Sequence, residues 1–216
     1  MIKNIKKKFK KFRFFRLLNY NLNDNYRKFK VFNKLNKDSV VIDIGAHIGQ
    51  VTQYIDDKFR SNIFCYEPNN EIFEILKSNF LNNNNIEFNN AAVSNSQKND
   101  SLYFTSTKSK LADINESLKY SIENEKKNIS KENFVKINVI TISELLERFK
   151  KIDLIKINIE GHEYKILPEI IKNRNKIGKV VCQLHGNYVN HLNDTHNKLL
   201  NELDELNLLN KWFYEW

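Results

Sequence analysis

Two of the chain's five glycines stand four residues apart, in Val40-Val41-Ile42-Asp43-Ile44-Gly45-Ala46-His47-Ile48-Gly49. An apolar run there breaks into a tight glycine turn, with an acid two residues ahead of the first glycine. Where glycine is this scarce, a position that keeps it needs either a backbone conformation closed to other residues or the space a side chain would fill. The segment reads as a buried strand, a turn and the start of a helix. In an α/β sheet that is the usual place for a nucleotide-like cofactor.

Strand and helix patterns alternate on either side of this turn. Val40–Ile44 reads as a strand, Gly49–Phe59 as a helix, Asn62–Tyr66 as a second strand ending at Glu67-Pro68, and Asn69–Phe80 as a helix with Ile72, Phe73, Ile75, Leu76 and Phe80 at helical spacing. Ile86–Phe88 is a short third strand leading into Asn89-Asn90-Ala91-Ala92-Val93. This βαβαβ order implies a parallel sheet with right-handed crossovers. Ser101–Thr105 and Val135–Ile140 read as strands around the polar stretch 107–133, a mobile lid or an insertion, with a short helix around Ile114–Ile122. Alternation resumes with a helix over Ser143–Phe149 capped by Ser143, a strand over Ile152–Ile159, a helix over Glu163–Ile171 and a strand over Lys179–Leu184. Thr195–Leu206 is an amphipathic helix and Leu208–Tyr214 a final strand.

The net charge of +9 is unevenly placed. Residues 1–34 hold twelve of the 35 Lys and Arg against the single acid Asp24, a local net of +11, which leaves the rest of the chain near −2. The division is therefore a basic appendage, 1–34, and a nearly neutral domain, 35–216. Within the appendage Ile2, Ile5, Phe9, Phe12 and Phe15 recur at helical spacing among lysines and arginines. Such a helix either packs on its own domain or lies on an anionic membrane surface; phenylalanine on a narrow face suits lipid better than a nucleic-acid backbone. No apolar stretch reaches the ~20 residues that span a bilayer. The N-terminus lacks the apolar stretch of a secretory signal, so a cytosolic setting is expected, with peripheral membrane attachment open to the tail. Cys65 and Cys182 lie in apolar runs without metal-ligand spacing.

Three places carry chemistry. Asp43, Gly45 and Gly49 form the first. A nicotinamide fingerprint, G-x-G-x-x-G, would put glycine where His47 stands, so a nicotinamide oxidoreductase is disfavoured. Glu67 is the second: an acid at the end of the next strand can accept from both vicinal hydroxyls of a ribose. The third is Leu154-Ile155-Lys156-Ile157-Asn158-Ile159-Glu160-Gly161-His162-Glu163. Lys156, Asn158 and Glu160 alternate with isoleucines and are expected on one strand face, where a polar row must be paired or face a cleft. His162 and Glu160 are the candidate general bases for a hydroxyl nucleophile, or else a cap-and-pairing arrangement that positions the turn.

VVIDIGAHIG, IFCYEPNNEIFEIL, NAAVS, VITISELLE and IDLIKINIEGHEYKIL together resemble the FkbM-type methyltransferases over roughly residues 38–185. The resemblance implies a doubly wound, mostly parallel, Rossmann-like α/β sheet of the class I methyltransferase type, dependent on S-adenosylmethionine (AdoMet) and acting on oxygen. The implied acceptor is a hydroxyl on a glycan, a glycolipid precursor or a small metabolite. Carried over by position, Asp43, Gly45, Ala46 and Gly49 hold the methionine end, Glu67 the ribose, Ala91 and Ala92 the adenine, and Asn158 borders the methyl-transfer site. The family more often has aspartate at that position, and asparagine removes a charge there, so no metal role is assigned. Gln183 and His185, ending the next strand, face the acceptor or are satisfied loop residues. Sheets of this class finish with an antiparallel hairpin, so its last strand is either missing here or lies elsewhere.

The class also predicts two strands between those of Cys65 and Cys182. At ~4.8 Å per strand that is about 14 Å, too far for a disulfide. The alternative reading is a non-catalytic Rossmann-like binding module, docked on a membrane or nucleic acid by its basic helix.

Overall fold

The computed structural model describes residues 34–98, 100–105, 121–122, 129–185, 193–208 and 212. The tail 1–33, and with it the expected amphipathic helix, lies outside the described residues, as does most of 107–133. The strands are β1 (Val40–Ile44), β2 (Asn62–Tyr66), β3 (Ile86–Asn89), β4 (Ala92–Ser94), β5 (Ser101–Thr105), β6 (Ile129–Lys136), β7 (Val139–Thr141), β8 (Ile152–Ile157) and β9 (Ile177–Cys182). The helices are α1 (Gln50–Phe59), α2 (Asn70–Asn79), α3 (Ile142–Glu147), α4 (Glu163–Lys172) and α5 (Asn193–Glu205).

Five strands form the central sheet in the order β3-β2-β1-β8-β9, and every neighbouring pair is parallel. Parallel strands need crossovers, and both faces of such a sheet are covered, which is why these strands read as nearly continuous Val and Ile. Ile42, Ile44, Ile155, Ile157 and Val180 belong to a cluster with Leu145, Ile166, Leu167, Ile170, Leu203 and Trp212 from the helical segments. Val41, Ile63 and Leu154 are also fully or almost fully buried. They point the other way, by the alternation of side chains along a strand. There α1 and α2 bury Ile55, Ile72 and Leu76. The order places β1 and β8 between the strands of Cys65 and Cys182, as expected, and both thiols are free and buried. Among the described residues no helix is long and apolar enough to cross a membrane.

Several local readings are corrected. The strand expected over Val135–Ile140 is two strands: β6 pairs antiparallel with β5, whereas β7 pairs parallel with β4. β6 also begins at Ile129, so the end of the polar stretch 107–133 is strand. The cap of α3 is Thr141, not Ser143; Thr141 and Glu144 form a reciprocal capping box. β8 stops at Ile157, and Glu160 lies in a turn at φ 58°, so the polar row ends before Glu160. Leu208 does not begin a strand. Asn207 at φ 53°, with Leu208 N donating to Leu203 O and Asn207 N to Asp204 O, closes α5 in a Schellman cap. Trp212 N then donates to Leu208 O in helical fashion. The spacing of the two apolar anchors Leu208 and Trp212 is one helical turn, which carries both into the core.

Candidate active site

Strands β1, β2 and β8 end side by side, and a cleft opens at their carboxyl edge. Its lining includes Gly45, His47, Tyr66, Glu67, Asn69, Ala91, Ala92, Asn158 and Glu160, with Ser121 and Ile122 from the 107–133 stretch. Ser121 is tied in by its hydroxyl, which donates to Glu160 O at 2.8 Å, and by a bridge to Tyr103.

Gly45 needs to be glycine for two reasons. Its φ is +76°, and a Cβ there would sit 2.0 Å from the carbonyl oxygen of Asn158. The β1 turn therefore lies directly against the end of β8. Gly45 N and Ala46 N both donate to Tyr66 O at 3.0 Å, which locks the turn to β2 as well. Gly49 also has a left-handed φ, +87°, but the space beside it is filled by Phe80 and Leu76. It serves helix packing at the entrance of α1 and is not in the cleft lining.

Glu67 is buried, and its carboxylate is braced by two amides. Oε1 accepts from Asn69 N at 2.9 Å and Oε2 from His47 N at 3.0 Å. Burial nevertheless wins and pushes its pKa up to about 7, partly offset by those two amides and by Lys156. Asn69, at the start of α2, accepts with Oδ1 from Glu71 N and Ile72 N. Its buried Nδ2 has no hydrogen-bond partner, and neither does Oδ1 of Asn158 across the cleft. A buried donor and a buried acceptor left open in one cleft are what a polar ligand would satisfy. His47 is held neutral: burial first, then the charge of Lys156, brings its pKa down to about 4.

The residues singled out in the sequence separate into two groups. The cleft gathers Gly45, Glu67, Ala91, Ala92, Asn158 and Glu160. Asp43, Ala46, Gly49 and His162 lie off it. Asp43 is fully buried, with Oδ1 2.9 Å from Lys156 Nζ and Oδ2 accepting from Thr52 Oγ1 at 2.7 Å. His162 is 1% exposed, and its Nε2 is 2.8 Å from Ser94 Oγ. Sequence reasoning missed Asn69 as a cleft residue, although an Asn just before an apolar-periodic helix is an N-cap signal. It also missed Glu163, whose carboxylate holds the turn after β8. Among the described residues, no group of three or more His, Cys, Asp or Glu is placed to hold a metal ion.

No curated protein matches the chain. A family model described as the methyltransferase FkbM domain matches residues 43–208, from the acid of the glycine turn to the cap of α5. The match takes in the end of β1, all of β2 and β8 and every cleft residue named above, and the chain belongs to the FkbM methyltransferase domain family.

Proposed function

We propose that the chain is an AdoMet-dependent O-methyltransferase acting on a hydroxyl of a glycan, a glycolipid precursor or a small metabolite. The observation that carries this reading is Glu67. It is a buried carboxylate at the end of β2, held rigid by two amides and facing a cleft whose other wall has an open amide oxygen on Asn158. A ligand with a vicinal diol at one end and a cationic donor at the other fits that donor set. Glu67 would take the ribose hydroxyls, Ala91 and Ala92 would border the adenine, and Asn158 Oδ1 would accept from the amino group. Bound there, AdoMet supplies a methyl group activated by its sulfonium.

The chain's own task is then to hold the acceptor oxygen in line with that methyl, exclude water and remove the hydroxyl proton. Of the two candidate bases only Glu160 lines the cleft; His162 is buried against Ser94. That position supports Glu160 over His162 as the base for the acceptor hydroxyl. A cytosolic site of action, with the basic tail on an anionic membrane face, suits a lipid-linked glycan acceptor.

Calorimetry with AdoMet and, separately, NAD tests the cofactor. Micromolar AdoMet binding that Glu67→Ala abolishes supports the reading, NAD binding would replace it, and binding of neither would favour a non-catalytic module. S-adenosylhomocysteine release with a panel of methyl glycosides then tests the acceptor class.

A further inference from the structure

Behind the cleft wall two carboxylates flank one imidazole. Glu163, the first residue of α4, is fully buried. Its Oε1 accepts from Ile159 N at 3.0 Å and its Oε2 from Gly161 N at 2.9 Å. Those amides bracket Glu160, so Glu163 anchors the turn that holds Glu160 at φ 58°. The same Oε1 lies 2.8 Å from Nδ1 of His185, and Nε2 of that imidazole is 3.7 Å from Oε1 of Glu160. The Glu160 side chain is 23% exposed, His185 5% and Glu163 0%.

The roles follow from the donor and acceptor inventory. Glu163 accepts from two amides and faces Nδ1 of His185, so a hydrogen on Nδ1 is donated to it, and Nε2 is the ring nitrogen turned toward Glu160. The two carboxylates reach His185 from different elements, Glu163 from α4 and Glu160 from the preceding turn. The thiol of Cys182, at the end of β9, is held protonated, by burial first and then by the charge of Glu163.

We propose that Glu160 takes the acceptor's hydroxyl proton and hands it to His185, which Glu163 positions and whose imidazolium it stabilises. The proposal rests on the O-methyltransferase reading above. As the acceptor oxygen bonds to the methyl group its O–H bond breaks, with that bond's electron pair staying on oxygen. The methyl's former bonding pair stays on sulfur, leaving a neutral thioether. The proton passes through Glu160 to Nε2 of His185, so both carboxylates end as they began and the imidazole carries the charge. By ordinary basicity an imidazole is a better final holder for a proton at neutral pH than a carboxylate. At 3.7 Å the Glu160–His185 contact is longer than a hydrogen bond. Catalytic contacts of ligand-free enzymes often close in the complex, and Glu160 is the more exposed partner.

Histidine-selective NMR on the ¹⁵N-labelled full chain tests the coupling without an identified acceptor. The relay requires the Nδ1–H tautomer in neutral His185. It also requires a titration midpoint that falls by about one unit in Glu160→Gln, because a facing negative charge is removed. If His185 only packs the turn, Glu163 will govern it and Glu160→Gln will leave the midpoint in place. That result, or an Nε2–H tautomer, overturns the proposal. Glu160→Gln leaves the buried anchor intact, so the test does not depend on the folding of Glu163→Gln.

With a methyl glycoside that the wild type accepts, His185→Gln should lower kcat about 10²-fold while the Kd for AdoMet stays within about twofold. An unchanged kcat also overturns the relay. If the wild type binds no AdoMet, the methyltransferase reading falls, while the titration still decides whether the two side chains are coupled.

Discussion

Lys156 Nζ stands 2.9 Å from Oδ1 of Asp43, an ion pair between adjacent strands with side chains 5% and 0% exposed. The two residues are register partners in β8 and β1. Lys156 also donates to Gly45 O at 2.6 Å, and Thr52 of α1 donates to the other oxygen of Asp43. The pair therefore ties the glycine turn to two strands and a helix. Removing one partner strands a buried charge, which costs about 3–5 kcal/mol. Lys156→Met and Asp43→Asn should each lose that much in urea unfolding, and the double variant should regain a large part. Single losses under ~1 kcal/mol would mean the pair does not hold the turn.

Glu67 makes the ligand-free protein pH-dependent. Its pKa rises from 4.5 in the open chain to about 7 in the fold, so between these values the folded state binds more protons than the unfolded one. Stability therefore falls as pH rises from about 4.5 to about 7, by on the order of 3 kcal/mol. Glu67→Gln should flatten that slope in denaturation measured across the range. A diol donating to the carboxylate favours its charged form. AdoMet binding near pH 6.5 should therefore release a fraction of a proton, read by calorimetry in buffers of different ionisation enthalpy. An unchanged slope in Glu67→Gln would count against this assignment.

The glycines at 45 and 49 should respond differently to alanine. Both have left-handed φ, worth about 1–2 kcal/mol to a residue with a Cβ. At Gly45 the added carbon meets backbone, 2.0 Å from Asn158 O, whereas at Gly49 it meets the ends of Phe80 and Leu76. Gly45→Ala should lower Tm further and weaken AdoMet binding. Gly49→Ala should lower Tm less and leave AdoMet affinity near wild type. The reverse order would contradict the close approach of β1 to β8.

His162 and Glu160 should also part ways. His162→Ala opens a buried contact with Ser94 and should cost about 1–3 kcal/mol of stability, with AdoMet affinity kept. Glu160→Gln should leave Tm close to wild type and depress turnover of an accepted glycoside by about 10²-fold. Full turnover in Glu160→Gln would remove it as the proton acceptor.

The tail prediction concerns charge alone. With a net +11 over residues 1–34, the full chain should sediment with vesicles containing anionic lipid and release as salt rises. A chain starting at residue 35 should not. Equal partitioning of the two would dismiss the membrane proposal.

Much of the fold is legible in local pattern. β1, β2 and β5 have the boundaries their sequences suggest, because apolar runs between turn residues leave little choice. The strand order agrees with what the family resemblance implied, two strands between those of Cys65 and Cys182; alternation alone implied only a parallel sheet with right-handed crossovers. Gly45, Glu67, Ala91, Ala92, Asn158 and Glu160 share the cleft because each ends or follows a strand at one sheet edge.

What one sequence cannot rank is competition among equally polar residues. Asp43 reads as a cofactor acid by position, yet the fold sets Lys156 in register beside it and closes α1 over it, so its charge is spent inside the protein. His162 reads as a base, but as the residue capping the start of α4 it sits with its ring against Ser94. Conversely, His185 lies 22 residues beyond Glu163 and 25 beyond Glu160 in the chain. Only the return of β9 alongside β8 brings its ring between them. Sequence by itself determined the strand–helix alternation and the sheet edge where the cleft opens, since both rest on local periodicity and glycine. Which side chains face that edge was decided by tertiary packing, because burial and pairing depend on partners more than a hundred residues apart, as Asp43 and Lys156 are.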